Sequence, residues 1–385
     1  MIKKIIPIIM ILLLTGCYDH QELNSLSILT ATEINKTDDV YTINAQVVNP
    51  QSPDKTTYAQ TPFFIYTGTG KTIQEAYRQI KLKSSRYIYP DHLTIVIIDL
   101  SIAKNDISQI LDFYLRNPLA RTEFKVLIGK KENILNTITP IDGLSSTSIL
   151  DNIETNSKYY GISSLISLSD LAKTKINPNT EIILPTIDII DTNKDNNTTK
   201  NATKTTTNSS YILEGLAIFK DNKLKGYLTN DESITYNLIQ NNINDTIITY
   251  ECQKDNYLSL EITKNKTKIT TKNKEININI SLEGIINESA CNIDLNNKTN
   301  IDSLTNNINN YLNENIKNNI DNIRKKYNSD IFGFLDIIYK HDYKYYQEIK
   351  ENWYNSIYQN IKINIYSSLN ILTKGNVSED INEKN

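Results

Sequence analysis

The sequence predicts an α+β protein of two or three domains, and three observations carry that expectation. Apolar residues recur with period 3.6 in some stretches and with period 2 in others. Strands and helices interleave before residue 190, whereas after residue 210 a series of strands is followed by a series of helices. Between the two halves, residues 191–209 hold Asp, Thr, Asn, Lys and Ser with a lone Ala202. Such a segment buries too little surface to offset its ordering entropy, so it reads as a linker or exposed loop. The 385 residues suffice for several cores, with 39% hydrophobic residues and 24 tyrosines to fill them. A net charge of −3 sets up no strong field and argues against a nucleic-acid partner. The abundance of Asn, Lys and Ile follows from AT-rich coding and is given no functional weight.

The chain opens with Lys3 and Lys4, an apolar run from Ile5 to Leu14, and then Leu14-Thr15-Gly16-Cys17. Basic flank, apolar run and small residues before a cysteine make a bacterial lipobox. The apolar run spans about 15 Å as a helix, half of a bilayer core that needs about 20 residues. It can direct export but cannot anchor by spanning. Signal peptidase II would cut between Gly16 and Cys17, and a diacylglyceryl and acyl lipid on Cys17 would hold the mature chain to the membrane. No other cofactor is expected.

Ser25–Ile34 and Tyr41–Val48 read as strands joined by the turn Lys36-Thr37-Asp38-Asp39. Residues 49–71, with Pro50, Pro53 and Pro62, read as loop with one short strand at Phe63–Tyr66. Thr72 with Glu75 forms a capping box for a helix bearing Ile73, Ala76, Tyr77 and Ile80. Leu93–Ile98 is a dense apolar strand, Ile107–Leu115 a helix, Phe124–Ile128 a strand and Ile134–Ile138 a short helix. That alternation implies a sheet covered by helices. Residues 144–173 read as helical pieces broken at Tyr159-Tyr160-Gly161, and Glu181–Ile190, split by Pro185, as an edge strand. After the polar segment, Leu213–Phe219 and Leu224–Leu228 flank a hairpin turn, and Asp231–Asn242 is a helix. Thr246–Cys252, Tyr257–Thr263, Lys266–Thr271 and Glu275–Leu282 read as a four-strand antiparallel meander. A long helix carries a stripe from Ile301 to Tyr327, shorter helices follow through Asn352, and Ile361–Ile365 is a closing strand.

Candidate chemistry is sparse. With Cys17 lipidated, Cys252 and Cys291 remain either as a disulfide or as two thiols, and sequence does not decide between them. His20, His92 and His341 are far apart; His92, ahead of a buried strand, suits a structural hydrogen bond, and His341 a solvated helix. Gly68-Thr69-Gly70-Lys71-Thr72 lacks the first glycine of a phosphate loop and is better read as helix capping. No nucleophile–base or metal-ligand spacing is present, so no enzyme is expected. Trp353, the single Trp, is first a core residue and second a candidate partner contact. Tyr339, Tyr343, Tyr345 and Tyr346 bring polar-tipped aromatics suited to interfaces.

The order of motifs resembles the Ger(x)C family, the lipoprotein C subunits of GerA-type nutrient germinant receptors. Gly16-Cys17-Tyr18-Asp19-His20-Gln21-Glu22-Leu23-Asn24 is similar to the family's opening, with Tyr18 in place of the usual Trp. Thr67–Thr72 with Glu75-Ala76, His92, and Leu111–Asn117 follow in the family's order. So do Glu214–Lys220, Gly226-Tyr227-Leu228, Glu232-Ser233, Ile331–Phe334, Trp353 and Gly375. The resemblance implies three domains, each a mixed or antiparallel sheet carrying helices. It also implies a complex with the two multi-spanning A and B subunits, at the outer face of the spore inner membrane. Asp19 and Glu22 then join Trp353 as candidate partner contacts.

The expected organisation is therefore a signal peptide over 1–16, an N-terminal region over 17–190 holding two α/β domains, and the polar segment 191–209. A C-terminal α+β domain over 210–375 and a polar tail over 376–385 complete it. The expected function is that of a lipid-anchored, non-catalytic receptor subunit in spore germination. The alternative is a substrate-binding lipoprotein of an uptake system, which requires two similar lobes around a ligand cleft. A surface hydrolase is a third class, with no motif in its favour. Whether the chain binds a germinant itself is not written in the sequence.

Overall fold

The computed structural model describes residues 25–49, 61–117, 121–137, 145–190, 211–243 and 245–373. The lipobox with Gly16 and Cys17, the motif residues Asp19 and Glu22, the segment 191–209, Gly375 and the tail lie outside these residues.

The first sheet begins with β1 (Leu26–Thr37), β2 (Val40–Val48) and β3 (Phe63–Gly70) as an antiparallel meander. Asp38 and Asp39 between β1 and β2 both take positive φ, 49° and 61°. That is the backbone a two-residue hairpin with matching twist requires, and Asp tolerates it. Helix α1 (Ile73–Lys83) then lies back across β3, burying Ile73, Ala76 and Ile80. The approach is close: a Cβ on Gly68 would stand 2.2 Å from the Ala76 carbonyl oxygen. Thr72 caps α1 by accepting from the Glu75 N–H, as expected, but Glu75 reaches the Lys71 N–H rather than completing the box on Thr72.

β4 (Tyr87–Tyr89) and β5 (Ile95–Asp99) run parallel to β1. α2 (Leu100–Ala103) and α3 (Ser108–Arg116) lead to β6 (Lys125–Gly129), parallel to β5. α4 (Ile134–Thr137), α5 (Ser145–Thr155) with a π turn to Tyr160, and α6 (Leu168–Ile176) lead to β7 (Ile183–Ile189), parallel to β6. All five residues of β5 are buried, as a strand covered on both faces must be. Val96 and Ile98 pack under α1, α3 and α6, and Ile95 and Ile97 under α4 and α5.

β8 (Tyr211–Ile212) pairs with β7, and β9 (Leu216–Lys220) with β10 (Lys223–Tyr227) extends the same sheet to the order β10-β9-β7-β6-β5-β1-β2-β3. The expected edge strand at Glu181–Ile190 is therefore an interior strand. Its partners divide it at Pro185: residues 183–185 pair with β9, and 186 and 187 pair with β6. A proline is tolerated inside the sheet because the ladder changes sides there.

α7 (Asn230–Ile239) precedes the second sheet, β11 (Thr246–Gln253), β12 (Asn256–Lys272) and β13 (Glu275–Ser289). The expected four-strand meander is three strands. Tyr257–Thr263 and Lys266–Thr271 form one strand of 17 residues, with a bulge between Ile262 and Lys264 where a turn was expected. α8 (Lys298–Tyr327), α9 (Phe334–His341) and α10 (Tyr343–Ile349) cross back to β14 (Ile363–Thr373), parallel to β13. Leu304, Ile308, Leu312, Ile316, Ile320 and Ile323 of α8 pack on Ile276, Ile278, Ile280 and Leu282 of β13 in one core. Each such side chain contributes roughly 2 kcal/mol by leaving water. The α+β class is as expected. The strands form two sheets among the described residues, where the resemblance implies three sheet-bearing units.

Candidate functional site

The motif blocks that are far apart in sequence meet where the two sheets join. α8 ends at Tyr327, with Asn328 in the left-handed region at φ 47°. Ser329 and Asp330 follow and are fully buried. Ser329 Oγ donates to the Phe219 carbonyl of β9 at 2.6 Å, and the Tyr358 hydroxyl donates to the Ser329 carbonyl at 2.7 Å. The Asp330 carbonyl accepts from the Glu181 N–H at 3.1 Å, next to β7. Lys220 Nζ donates to the Asn328 carbonyl at 2.8 Å and sits 4.1 Å from the Tyr354 ring centroid. The Tyr327 hydroxyl reaches the Tyr227 carbonyl at 2.5 Å, and its ring occupies the space a Cβ on Gly226 would need. Gly215, at φ +74°, admits the Leu228 carbonyl where a side chain would stand. Glu214–Lys220, Gly226–Leu228, Ile331–Phe334 and Trp353 thus share one junction.

Two buried charges occupy it. The Asp330 carboxylate accepts from the N–H groups of Phe334 at 3.0 Å and Leu335 at 2.9 Å, the open start of α9. Burial pushes its pKa from 3.8 up to about 7, against the opposing pull of the Leu335, Phe334 and Gly333 N–H groups and the Trp353 indole. Arg324, on the buried face of α8, donates from Nε to the Tyr358 carbonyl at 2.8 Å and from Nη2 to the Ile361 carbonyl at 2.9 Å. Its Nη1 stands 3.0 Å from Asp321. Burial lowers its guanidinium below the ordinary value. Burial also raises Glu181, and it raises Tyr354 and Tyr358 together with the nearby Asp330 charge. Asp330, Arg324 and Tyr358 are buried and bond backbone groups of other segments, so the arrangement fastens elements together.

α7 ties in from the other side. Thr229 and Glu232 form a full capping box at its start. Asn237, buried within it, donates to the Gly161 and Ser163 carbonyls at 2.8 and 2.9 Å. A cavity of about 350 Å3 opens on the same seam, lined by Ile166, Leu171, Tyr236, Phe332 and Lys340 among others.

Of the residues singled out from sequence, Trp353 is 1% exposed and packs near Tyr358, so it is a core residue and is not available as a partner contact. Cys252 and Cys291 are bridged, with Cα atoms 6.1 Å apart, joining β11 to the segment after β13. His92 and His341 are exposed and stand in separate halves. Gly68 and Gly70 serve the packing of α1 on β3. Among the described residues, no group of three or more His, Cys, Asp or Glu side chains could hold a metal ion. Sequence reasoning missed Asp330, Arg324 and Asn237. Arg324 was legible as a cation inside an apolar helical stripe; the others carry no local signal.

Residues 19–189 match the family described as "Spore germination protein N-terminal domain", and residues 214–375 match "Spore germination B3/GerAC like, C-terminal". The chain is 27% identical over 368 residues to spore germination protein KC of Bacillus subtilis (strain 168), covering 91% of this chain and 89% of that one. It is 26% identical over 291 residues to spore germination protein B3 of the same organism, covering 72% of each. The crystal structure of the GerBC protein shares the fold, with a TM-score of 0.53 at 19% identity over 89% of this chain and 96% of that one.

Proposed function

This chain belongs to the Ger(x)C family of spore germination proteins, and on that premise we propose that it is the lipid-anchored C subunit of a nutrient germinant receptor. The observation that carries the reading is order: the two family regions, 19–189 and 214–375, begin directly behind the Leu14–Cys17 lipobox. A lipid on Cys17 would hold the folded body at the outer face of the spore inner membrane. Two or three acyl chains make such attachment durable where one does not. Among the described residues no helix is long and apolar enough to cross a membrane, which fits a body that depends on its lipid. Tethering raises the effective concentration for the multi-spanning A and B subunits, so individually modest contacts suffice for assembly.

The subunit acts by binding rather than by catalysis. Its most conspicuous buried polar groups are spent on the junction between sheets, which suits a body that must present a fixed shape to its partners. The two sheets, one of ten strands and one of four, are unlike in order and connection. The paired similar lobes of a substrate-binding lipoprotein are not matched by that asymmetry. Deleting the gene tests the function. Nutrient-triggered dipicolinate release from spores is expected to slow while vegetative growth is unchanged; normal release in a strain with no redundant receptor contradicts the proposal.

A further inference from the structure

One end of the ten-stranded sheet combines features that a water-facing surface does not need. β1 starts at Leu26, paired with Tyr87 of β4, so the chain arriving from Cys17 enters beside Tyr87. α1 runs back toward this end and finishes in Lys81-Leu82-Lys83. Phe64 on the outer strand β3 lies level with Val47, which lies level with Leu29 near the start of β1. Leu82 is 80% exposed, Phe64 43% and Tyr87 37%. The same stretch carries Arg78, Lys81, Lys83, whose Nζ donates to the Thr67 carbonyl at 2.6 Å, and Arg86, and no acidic residue occurs between Glu75 and Asp91. The acids that bound the stretch are engaged. Glu75 bonds the Lys71 N–H at the far end of α1, and Asp91 takes the Tyr89 hydroxyl and Arg121. In a chain of net charge −3 this is a local concentration of cations around apolar tips.

We propose that this end of the sheet is a membrane-contact surface that seats on anionic phospholipid. Leu82, Phe64 and Tyr87 enter the headgroup layer, and Arg78, Lys81, Lys83 and Arg86 meet the lipid phosphates. The inference rests on the lipid anchor at Cys17. Eight residues separate Cys17 from Leu26, and the nine steps between them span at most about 30 Å of extended chain, so the anchored protein can reach its own membrane with this end. Each cation near an anionic surface strengthens partitioning by about fivefold, within a Debye length. The apolar tips explain why a leucine is left open at the end of an otherwise amphipathic helix. Lys81 over the Tyr87 ring, at 4.7 Å, pairs a cation with an aromatic as interfacial residues do. The lipid and the patch together would fix orientation, which attachment at a single point cannot.

The test uses the lipidated full-length protein carrying Leu82→Trp, reconstituted into vesicles with acyl-chain bromine as quencher. Trp353 is buried and gives a constant background. On phosphatidylglycerol-containing vesicles the new emission is expected to be quenched. On pure phosphatidylcholine, or with Lys81→Glu/Lys83→Glu/Arg86→Glu added, that quenching is expected to be lost. Tyr366→Trp, exposed on the second sheet, should stay bright throughout. Flotation reads the anchor separately. Protein that floats with anionic vesicles but leaves Leu82→Trp unquenched overturns the membrane-contact surface alone, and equal quenching on neutral vesicles overturns its preference for anionic lipid. Protein that fails to float overturns the anchor, and this surface with it.

Discussion

Asp330 is a carboxylate with no access to water, held by two N–H groups at the start of α9. Its folded pKa, about 7, lies above the ordinary 3.8. Between those values the folded chain holds a proton that the unfolded chain has released. Stability from this group is therefore fully present below about pH 4 and is lost as pH rises through about 7. The whole shift corresponds to roughly 4 kcal/mol. Thermal melts of the wild type and Asp330→Asn across pH 5 to 8.5 check it. The wild type should lose stability toward the alkaline end, and the variant should show a flatter profile. The variant should also be about 1–3 kcal/mol less stable at pH 5, because an amide cannot satisfy both N–H groups. An unchanged slope would remove Asp330 from the pH response. Glu33, buried with its carboxylate on the Ile134 and Leu135 N–H groups, is raised by burial too, so the difference between the two profiles is the informative quantity.

At the scale of elements, the periodic signals read well and the polar ones did not. The stripe from Leu304 to Tyr327 was legible because every turn repeats an apolar residue on one face. Asn309 and Asn313 on the same helix carry no such periodic signal, yet they accept from the Leu369 and Ser367 N–H groups of β14 at 3.0 and 2.8 Å. β14 ends its sheet, so these amides cover donors that would otherwise template strand addition. Asn309→Ala with Asn313→Ala should lower the urea midpoint by the equivalent of about 2 kcal/mol and raise concentration-dependent association; a midpoint within error of wild type contradicts that role. The bridge between Cys252 and Cys291 joins positions 39 apart in sequence. Loop entropy then gives up to about 4 kcal/mol, so Cys252→Ser with Cys291→Ser should melt lower, and reductant should lower wild type to match. The interior place of β7 was hidden by Pro185, since a proline's preference for edges takes no account of a strand that changes partners mid-way.

For the whole molecule, sequence identified the α+β class and the order of family blocks, but not that those blocks converge. Phe219, Ser329 and Tyr358 span nearly 140 positions, and only the fold of the chain brings them to hydrogen-bonding distance. The continuity of one sheet across residues 191–210 was equally invisible, because a polar stretch looks the same whether the strands beyond it leave or return. The resulting body is a ten-stranded sheet fastened to a four-stranded one, proposed to sit at a membrane by its lipid and by one basic, apolar-tipped end. The most direct measurement follows the protein in spores whose only copy carries Cys17→Ala, by carbonate-washed membrane fractionation together with nutrient-triggered dipicolinate release. Lipid anchoring predicts a folded protein absent from the membrane pellet and release slowed as in the deletion. A variant that still sediments with carbonate-washed membranes and supports normal release would contradict it.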